Sequence, residues 1–222
     1  YTVAGIPTVP IAAFLGALGA ITLVFSLART RTGEFPTSVL LLAGVTANFF
    51  FAAMVMLIHY LSDFTQSFRI VRWLMGGLDI TSYQTLLSIS PFIIVGFAIL
   101  MFISRDLNII STGIQSAMSR GVEVIKIQKI GFIMASLLTG AVVALSGPIG
   151  FVGLIVPHIV RLIVGPDLRI LLPASIFFGA SFLVICDTLA RTIIAPTEIP
   201  VGIITAMLGG PFFVWLLKRS KN

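Results

Sequence analysis

Few side chains within the long apolar stretches of this sequence are of types that could do chemistry. His158 follows Pro157 in one stretch, and Asp187 lies in another, four residues before Arg191. An ionisable group in apolar surroundings is costly unless paired, so His158 or Asp187 could be a ligand or a proton carrier. The spacing of four favours a local ion pair for Asp187. With no acid nearby in sequence, packing and hydrogen bonding are favoured for His158.

Sequence patterns of catalysis are absent. There is no cluster of His, Cys and carboxylates at metal-ligand spacing, no nucleophile elbow and no phosphate-binding glycine loop. We therefore expect no enzyme activity, no metal and no cofactor in this chain, so any ATP that drives it must bind another subunit. The single cysteine, Cys186, has no partner for an intrachain disulfide and is expected to pack as a small apolar residue.

The elements that carry these residues must be membrane helices. The 222 residues are 58% hydrophobic and 10% charged, with a mean hydropathy of +1.12. A soluble domain has about 25% charged residues, and this chain has too few polar side chains to cover a surface facing water. The composition predicts an all-α polytopic membrane protein. Because the longest basic run is Lys218-Arg219, the net charge of +6 does not indicate a nucleic-acid partner.

Apolar runs long enough to cross a bilayer, bounded by charges or by Gly and Pro, predict about seven transmembrane helices. The fifth is short and has a Gly-Pro-rich entry, which suggests a helix packed inside protein or strongly inclined. The predicted spans are Pro10–Ala28, Ser38–Leu61, Tyr83–Ser104, Ile127–Leu145, Phe151–Val164, Ile170–Leu189 and Val201–Leu217.

Lysines and arginines in alternate loops predict the orientation, because cytoplasmic loops carry their excess. With the C-terminus cytoplasmic, only Arg69, Arg72 and Arg191 of the 14 basic residues lie outside. The predicted inner set is Arg29, Arg31, Arg105, Arg120, Lys126, Lys129, Arg161, Arg169, Lys218, Arg219 and Lys221.

Two connections are predicted to hold short helices. Ser67–Met75 places Arg69 and Arg72 on one helical face beside Trp73, which is typical of an outer interfacial helix. The longest inner connection, Arg105–Lys126, contains a helix-compatible stretch between two glycines and is predicted to form a cytoplasmic knob.

Polar and small residues inside two spans indicate a path or an interface. Thr46 and Asn48 interrupt the apolar second span, and a buried amide in a membrane needs a protein or water partner. In the last span Gly202, Ala206 and Gly210 recur every four residues, which permits close helix packing either within the chain or against a second copy.

Several motifs in order resemble the FecCD family, the ABC importer permeases for iron-siderophores, haem and cobalamin. The most specific is Gly147–Arg161, which reads GPIGFVGLIVPHIVR. The others are Gly165-Pro166-Asp167, Leu171-Leu172-Pro173, Asp187–Arg191, Glu198–Gly202, Gly209–Phe213, Leu42-Ala43-Gly44 with Asn48, Trp73–Gly76 and Leu107-Asn108.

The resemblance implies a permease of ten helices, of which residues 1–222 would form a single transmembrane domain corresponding to the fourth through tenth, so that the chain would lack an N-terminal part. It also implies a plasma or inner membrane location and three kinds of partner. These are a second permease copy, two cytoplasmic ATPase subunits that bind ATP and Mg, and an extracytoplasmic substrate-binding protein.

By resemblance, two regions are assigned contacts with those partners. Arg191 falls where the family has an outer arginine that pairs with a glutamate of the binding protein. Segment 105–126 is the cytoplasmic coupling segment. The residues expected to meet the ATPase are Ser111, Thr112, Gly113, Ile114, Gln115, Ser116, Ala117, Arg120 and Gly121. Ile114 and Gln115 stand where the family commonly has glutamates, and Arg120 stands where leucine is frequent.

The function predicted from these features is that of the permease subunit of a binding-protein-dependent ABC importer for a metal chelate. Two alternatives stay open: a secondary transporter coupled to protons through Asp187 or His158, and a permease fragment or membrane scaffold that does not transport. The sequence does not name the cargo.

Overall fold

The structure is a computed structural model that describes residues 2–3, 6–28, 37–79 and 83–219. Its first residues form a two-stranded antiparallel ribbon, β1 (Thr2–Val3) and β2 (Ile6–Pro7). All other regular elements in the described residues are helices. In chain order they are α1 (Thr8–Ala28), α2 (Thr37–Leu61), α3 (Phe64–Leu74), α4 (Tyr83–Ser111), α5 (Ile114–Ser119), α6 (Val124–Ser146), α7 (Val152–Val164), α8 (Leu168–Thr192) and α9 (Val201–Arg219).

Seven of these helices coincide with the seven predicted spans. Four of them, α2, α4, α6 and α8, are long and apolar enough to cross a membrane, and the rest of the set contributes three shorter apolar helices. At most 17% of the residues in the most apolar window of each long helix are buried. Their apolar side chains are therefore left outside the protein interior, as expected for surfaces that face lipid.

The largest boundary difference concerns α4, which continues about two turns beyond the predicted end at Ser104, to Ser111. Arg105 and Asp106 end the apolar run, but charged residues do not end a helix. The next residue that does so is Gly113, with φ of 132°. The first third of the predicted inner connection is thus helical.

The helix predicted at Ser67–Met75 is present as α3 and begins earlier than expected, while its place at the membrane interface stays a prediction. A side-chain oxygen of Asp63 accepts a hydrogen bond from the backbone N–H of Gln66 at 2.8 Å, as at a helix N-cap. Arg29, Arg31 and Lys221, which belong to the predicted inner set of cations, lie outside the described residues.

The chain divides into two compact units, and each is considered by itself. The first comprises Tyr1–Ile70 and Ser82–Leu145. Within it α1 packs along α2, where Ala43 and Ala47, one turn apart, are buried. Helix α4 approaches α6 closely, since a Cβ at Gly96 would meet the Leu138 side chain.

The second unit comprises Val71–Thr81 and Ser146–Asn222 and is built on α7, α8 and α9. Its core holds Cys186, Ala190, Val201 and Ile204. Cys186 is a free, buried thiol, which confirms its predicted role as a small apolar core residue. The connection after α3 is tied to the end of α6 by a backbone hydrogen bond from Gly77 N–H to the carbonyl of Ser146, at 2.8 Å.

Candidate functional site

Helix α5 is a single short helix held between α4 and α6, which confirms the predicted helix of the inner connection. Its ends are set by Gly113 and Gly121, whose φ angles of 132° and 80° are unfavourable for other residues. At the end of α4 the hydroxyls of Ser111 and Thr112 donate to carbonyls three residues earlier, at 2.7 and 2.8 Å. These bonds add hydroxyl donors to the carbonyls of the last helical turn.

One face of α5 is buried and the opposite face is open. Ala117 is fully buried and anchors the helix, whereas Ile114 and Met118 are 53% and 55% exposed. These two apolar residues are one turn apart, and the exposed Gln115 lies next to them. The helix therefore presents a small apolar knob. Among the other residues expected to meet the ATPase, Ser116 is half-buried and Arg120 is exposed.

A cleft with an empty volume of about 790 Å³ opens beside α5. It lies between the end of α4 and the start of α6 and carries three basic and two acidic side chains. It is lined by Arg105, Asp106, Ile109, Arg120, Gly121, Val122, Glu123, Lys126 and Ile127.

Arg191, near the end of α8, is surrounded by three carboxylates of its own chain. Its Nε donates to Asp187 at 2.8 Å, which confirms the predicted ion pair along the helix. One terminal nitrogen donates to Asp79 at 2.9 Å and the other to Glu198 at 3.3 Å. Each of the three guanidinium nitrogens thus donates one hydrogen bond, which suits its planar fork.

These contacts tie together three segments of the second unit. Asp79 follows α3, Asp187 lies on α8, and Glu198 lies in the connection between α8 and α9. The Arg191 side chain is 40% exposed, so the ion pairs are screened by water and are individually weak. Their combined effect is to fix the geometry of these connections.

An open cleft with an empty volume of about 420 Å³ surrounds this cluster. Arg72 of α3 also lines it, and among the described residues this guanidinium forms no ion pair. The cleft thus carries two cations and three carboxylates. Its full lining is Arg72, Gly76, Gly77, Leu78, Asp79, Asp187, Arg191, Glu198, Ile199, Pro200 and Val201.

Thr46 and Asn48 both lie on the exposed side of α2. The Thr46 hydroxyl donates to the carbonyl of Leu42 at 2.9 Å, within its own helix. Asn48 presents its amide at the surface, where an apolar environment would be costly and a partner or a water-filled path is required. Their assignment to a path or an interface stays a prediction.

The stripe of small residues in α9 is divided between two surroundings. At Gly202 an added Cβ would collide with the carbonyl oxygen of Met75, so this glycine serves packing within the chain. Ala206 is exposed, and no atom lies within 4 Å of a Cβ built at Gly210. Only the last two are free to contact another helix.

One histidine makes a contact through its ring and the other through its backbone. The ring of His158 meets Phe212 of α9 edge-on, with centroids 6.0 Å apart. The backbone carbonyl of His59 accepts a hydrogen bond from the Ser67 hydroxyl at 3.2 Å. No group of three or more potential metal ligands comes together among the described residues.

Three residues beside Arg191 are not predicted there from the sequence. Asp79 and Glu198 are its unpredicted partners, and Arg72, predicted as part of an interfacial helix, lines the same cleft. The sequence offers one indication, which is that acidic residues are few: the chain has only 8, and an outer arginine must find its partner among them. That signal does not say which acid is near.

Comparison with known proteins gives one family over almost the whole chain. The sequence model of the FecCD transport family matches residues 1–219. The hemin transport system permease protein HmuU of Yersinia pestis is 40% identical over 212 residues, which cover 96% of this chain and 63% of that protein. The cobalamin import system permease protein BtuC of Halobacterium salinarum is 43% identical, over 95% of this chain and 56% of that protein.

The fold is also shared with a solved structure. A transporter described as of metal-chelate ABC type, in an inward-facing conformation, aligns with a TM-score of 0.82 and 31% identity, over 95% of this chain and 71% of that one. This chain spans about 60% of the length of the curated relatives. On the family match and these identities, the chain is a multi-pass membrane protein that belongs to the FecCD transport family.

Proposed function

We propose that the chain is part of the permease subunit of a binding-protein-dependent ABC importer, with ATP hydrolysed on a separate subunit. The observation that carries the proposal is α5, a short helix held between two membrane-length helices with Ile114 and Met118 exposed. Exposed apolar side chains surrounded by polar ones are typical of a protein contact. The ATPase is the proposed occupant of this knob, with segment 105–126 as the coupling segment and ATP and Mg bound on the ATPase.

The proposed cargo is a metal chelate such as haem, cobalamin or an iron-siderophore, because the similar proteins include hemin, cobalamin and Fe(3+)-citrate permeases. The scarcity of charged residues within the spans supports a path that holds a large chelate weakly. Thr46 and Asn48 are the polar side chains proposed to line this path. Ala206 and Gly210 are proposed to meet a second permease copy.

The proposed binding-protein contact is the cleft around Arg191. Because three carboxylates already hold Arg191, whereas Arg72 forms no ion pair among the described residues, we propose Arg72 as the docking charge of this cleft. A glutamate of the binding protein would pair with Arg72 directly, whereas Arg191 would pair only if it exchanged Asp79 or Glu198. The cleft would then face outward and the C-terminus would be cytoplasmic.

Reconstitution tests this function against proton-coupled transport. Proteoliposomes that contain the full-length permease, its ATPase and its binding protein are loaded with ATP, and uptake of labelled cargo is measured. Uptake should require internal ATP and continue in the presence of an uncoupler. Met118→Asp should abolish ATP-dependent uptake while cargo binding by the binding protein is unchanged. Uptake by the permease alone, stopped by an uncoupler, would establish the secondary transporter instead.

A further inference from the structure

We propose that the cleft at the base of α5 binds a phosphate group, and that its source is the headgroup of an anionic lipid. The cleft is lined by Arg105 at the end of α4, Arg120 after α5 and Lys126 at the start of α6. Three separate segments thus bring cations to one opening. Guanidinium groups bind phosphate oxygens through paired N–H donors, which makes this the ligand chemistry that the cleft suits.

Two of the three cations of the cleft form no ion pair with a described residue, and the third forms a weak one. Lys126 pairs with Glu123 at 3.4 Å, in an exposed contact that contributes little and can be exchanged. Among the described residues neither Arg105 nor Arg120 forms an ion pair, and Asp106 is the one remaining carboxylate of the lining. The lining thus has one basic side chain more than it has carboxylates, and its two guanidinium groups form no ion pair in the part of the chain that the structure describes.

The position of the cations along their helices indicates headgroup depth. The part of α4 before Arg105, Tyr83–Ser104, contains no charged residue, and neither does the part of α6 after Lys129. Arg105 and Lys126 are therefore at the level where two membrane-length helices leave the hydrocarbon. Basic pockets between helices at this level suit anionic lipid headgroups.

An apolar contact for the acyl chain lies on the membrane side of Arg105. Phe102 is 88% exposed and precedes Arg105 by three residues, so both side chains project from one face of α4. A lipid whose phosphate meets Arg105 would extend its chain along Phe102. A soluble phosphate or an acidic side chain of a protein would make no use of this ring, and for this reason we favour the lipid.

Native mass spectrometry of the full-length protein in detergent measures this binding directly. Dioleoyl-phosphatidylglycerol and dioleoyl-phosphatidylcholine are titrated separately, and the anionic lipid should bind more tightly. Arg105→Gln and Arg120→Gln should each weaken phosphatidylglycerol binding about fivefold, since each cation near a charged headgroup contributes about that factor. Arg69→Gln, which changes an exposed arginine of α3 outside the lining of this cleft, is the matched control and should weaken binding less than either variant of the cleft does.

Two further variants keep the test independent of folding defects. Asp106→Asn removes the remaining carboxylate and should tighten phosphatidylglycerol binding, a gain that misfolding does not produce. Phe102→Ala should weaken binding of the lipid and leave its preference over phosphatidylcholine intact. Equal affinity for both lipids, or an unchanged affinity in Arg105→Gln and Arg120→Gln, would overturn the proposal.

Two more measurements distinguish a lipid headgroup from a soluble phosphate and from a protein ligand. Inorganic phosphate, added at the concentration of the lipid, should not displace phosphatidylglycerol, and displacement there would assign the cleft to a soluble phosphate. Co-purification of the ATPase is measured with the same arginine variants. If they lose the ATPase while lipid selectivity is unchanged, the cleft belongs to the protein contact and the lipid proposal fails.

Discussion

Arg191 and Asp79 are 112 residues apart in the chain, and a terminal nitrogen of the guanidinium lies 2.9 Å from a carboxylate oxygen of Asp79. The same guanidinium holds Asp187 and Glu198. A position identified by resemblance as a docking charge is therefore first of all an internal cross-link between the end of α8 and the two connections beside it. Any change at Arg191 acts on this cross-link as well as on a partner.

Arg191→Glu should loosen the connection between α8 and α9. The substitution replaces the shared cation with a fourth carboxylate, so Asp79, Asp187 and Glu198 repel one another across the cleft. Amide hydrogen exchange should become faster in residues 193–200, and the effect should diminish in high salt because the repulsion is screened. Arg69→Glu, which removes an exposed arginine that forms no ion pair with any described residue, should leave exchange in 193–200 unchanged; equal effects of the two variants would contradict the cross-link.

Arg72→Gln should slow association of the binding protein more than Arg191→Gln does. Arg72 has no ion pair among the described residues, whereas the charge of Arg191 is offset by its neighbours. Charges at the rim of an interface act mainly on the association rate, by up to tenfold or so at low salt and less as salt is added. Surface plasmon resonance across a range of ionic strengths measures this. If Arg191→Gln lowered the association rate more, Arg191 would be the docking charge.

The elements of this fold could be predicted from the sequence because their signals are local. Hydropathy located α1, α2, α4 and α6–α9, and the glycines at 113 and 121 located α5. Contacts between distant segments have no such signal. The pairing of Asp79 with Arg191 depends on how the connection after α3 folds back, which neither periodicity nor charge spacing expresses.

The same limit explains why α4 continues beyond the predicted span. The apolar count stopped at Arg105, yet Leu107, Ile109 and Ile110 continue a pattern compatible with either a helix or an inner loop. Only the backbone angle of Gly113 decides between them. The small-residue stripe was ambiguous for a related reason, since spacing alone did not reveal that Gly202 faces Met75 while Gly210 faces open space.

Gly202→Ala should destabilise the protein, and Gly210→Ala should not. The added methyl group at Gly202 meets a backbone carbonyl, so the helix or the connection must shift, at a cost of about 1–3 kcal/mol in the free energy of unfolding. At Gly210 the methyl group meets nothing, and alanine favours helix by about 1 kcal/mol. Thermal unfolding in detergent, followed by circular dichroism, compares the two. Equal midpoints would show that the backbone at Met75 can move away from the added methyl group with no loss of stability.

The two glycines that bound α5 should respond differently to asparagine. Both have open space where a side chain would go, so their requirement for glycine is conformational rather than steric. The φ of 80° at Gly121 is close to the left-handed region that asparagine tolerates, whereas Gly113, with φ of 132° and ψ of 139°, is far from it. Gly121→Asn should therefore keep most of the ATPase that co-purifies with the protein, and Gly113→Asn should lose it.

Valine serves as the matched control at both positions, because a β-branched residue does not tolerate a positive φ. Gly121→Val and Gly113→Val should both lose the ATPase, at a conformational cost of about 1–3 kcal/mol each. Total expression should change little, and the thermal midpoint should fall by the few degrees that a cost of this size implies. If Gly121→Asn behaved like Gly121→Val, the chain would need glycine itself at this turn, and the backbone geometry would not be what sets the contact.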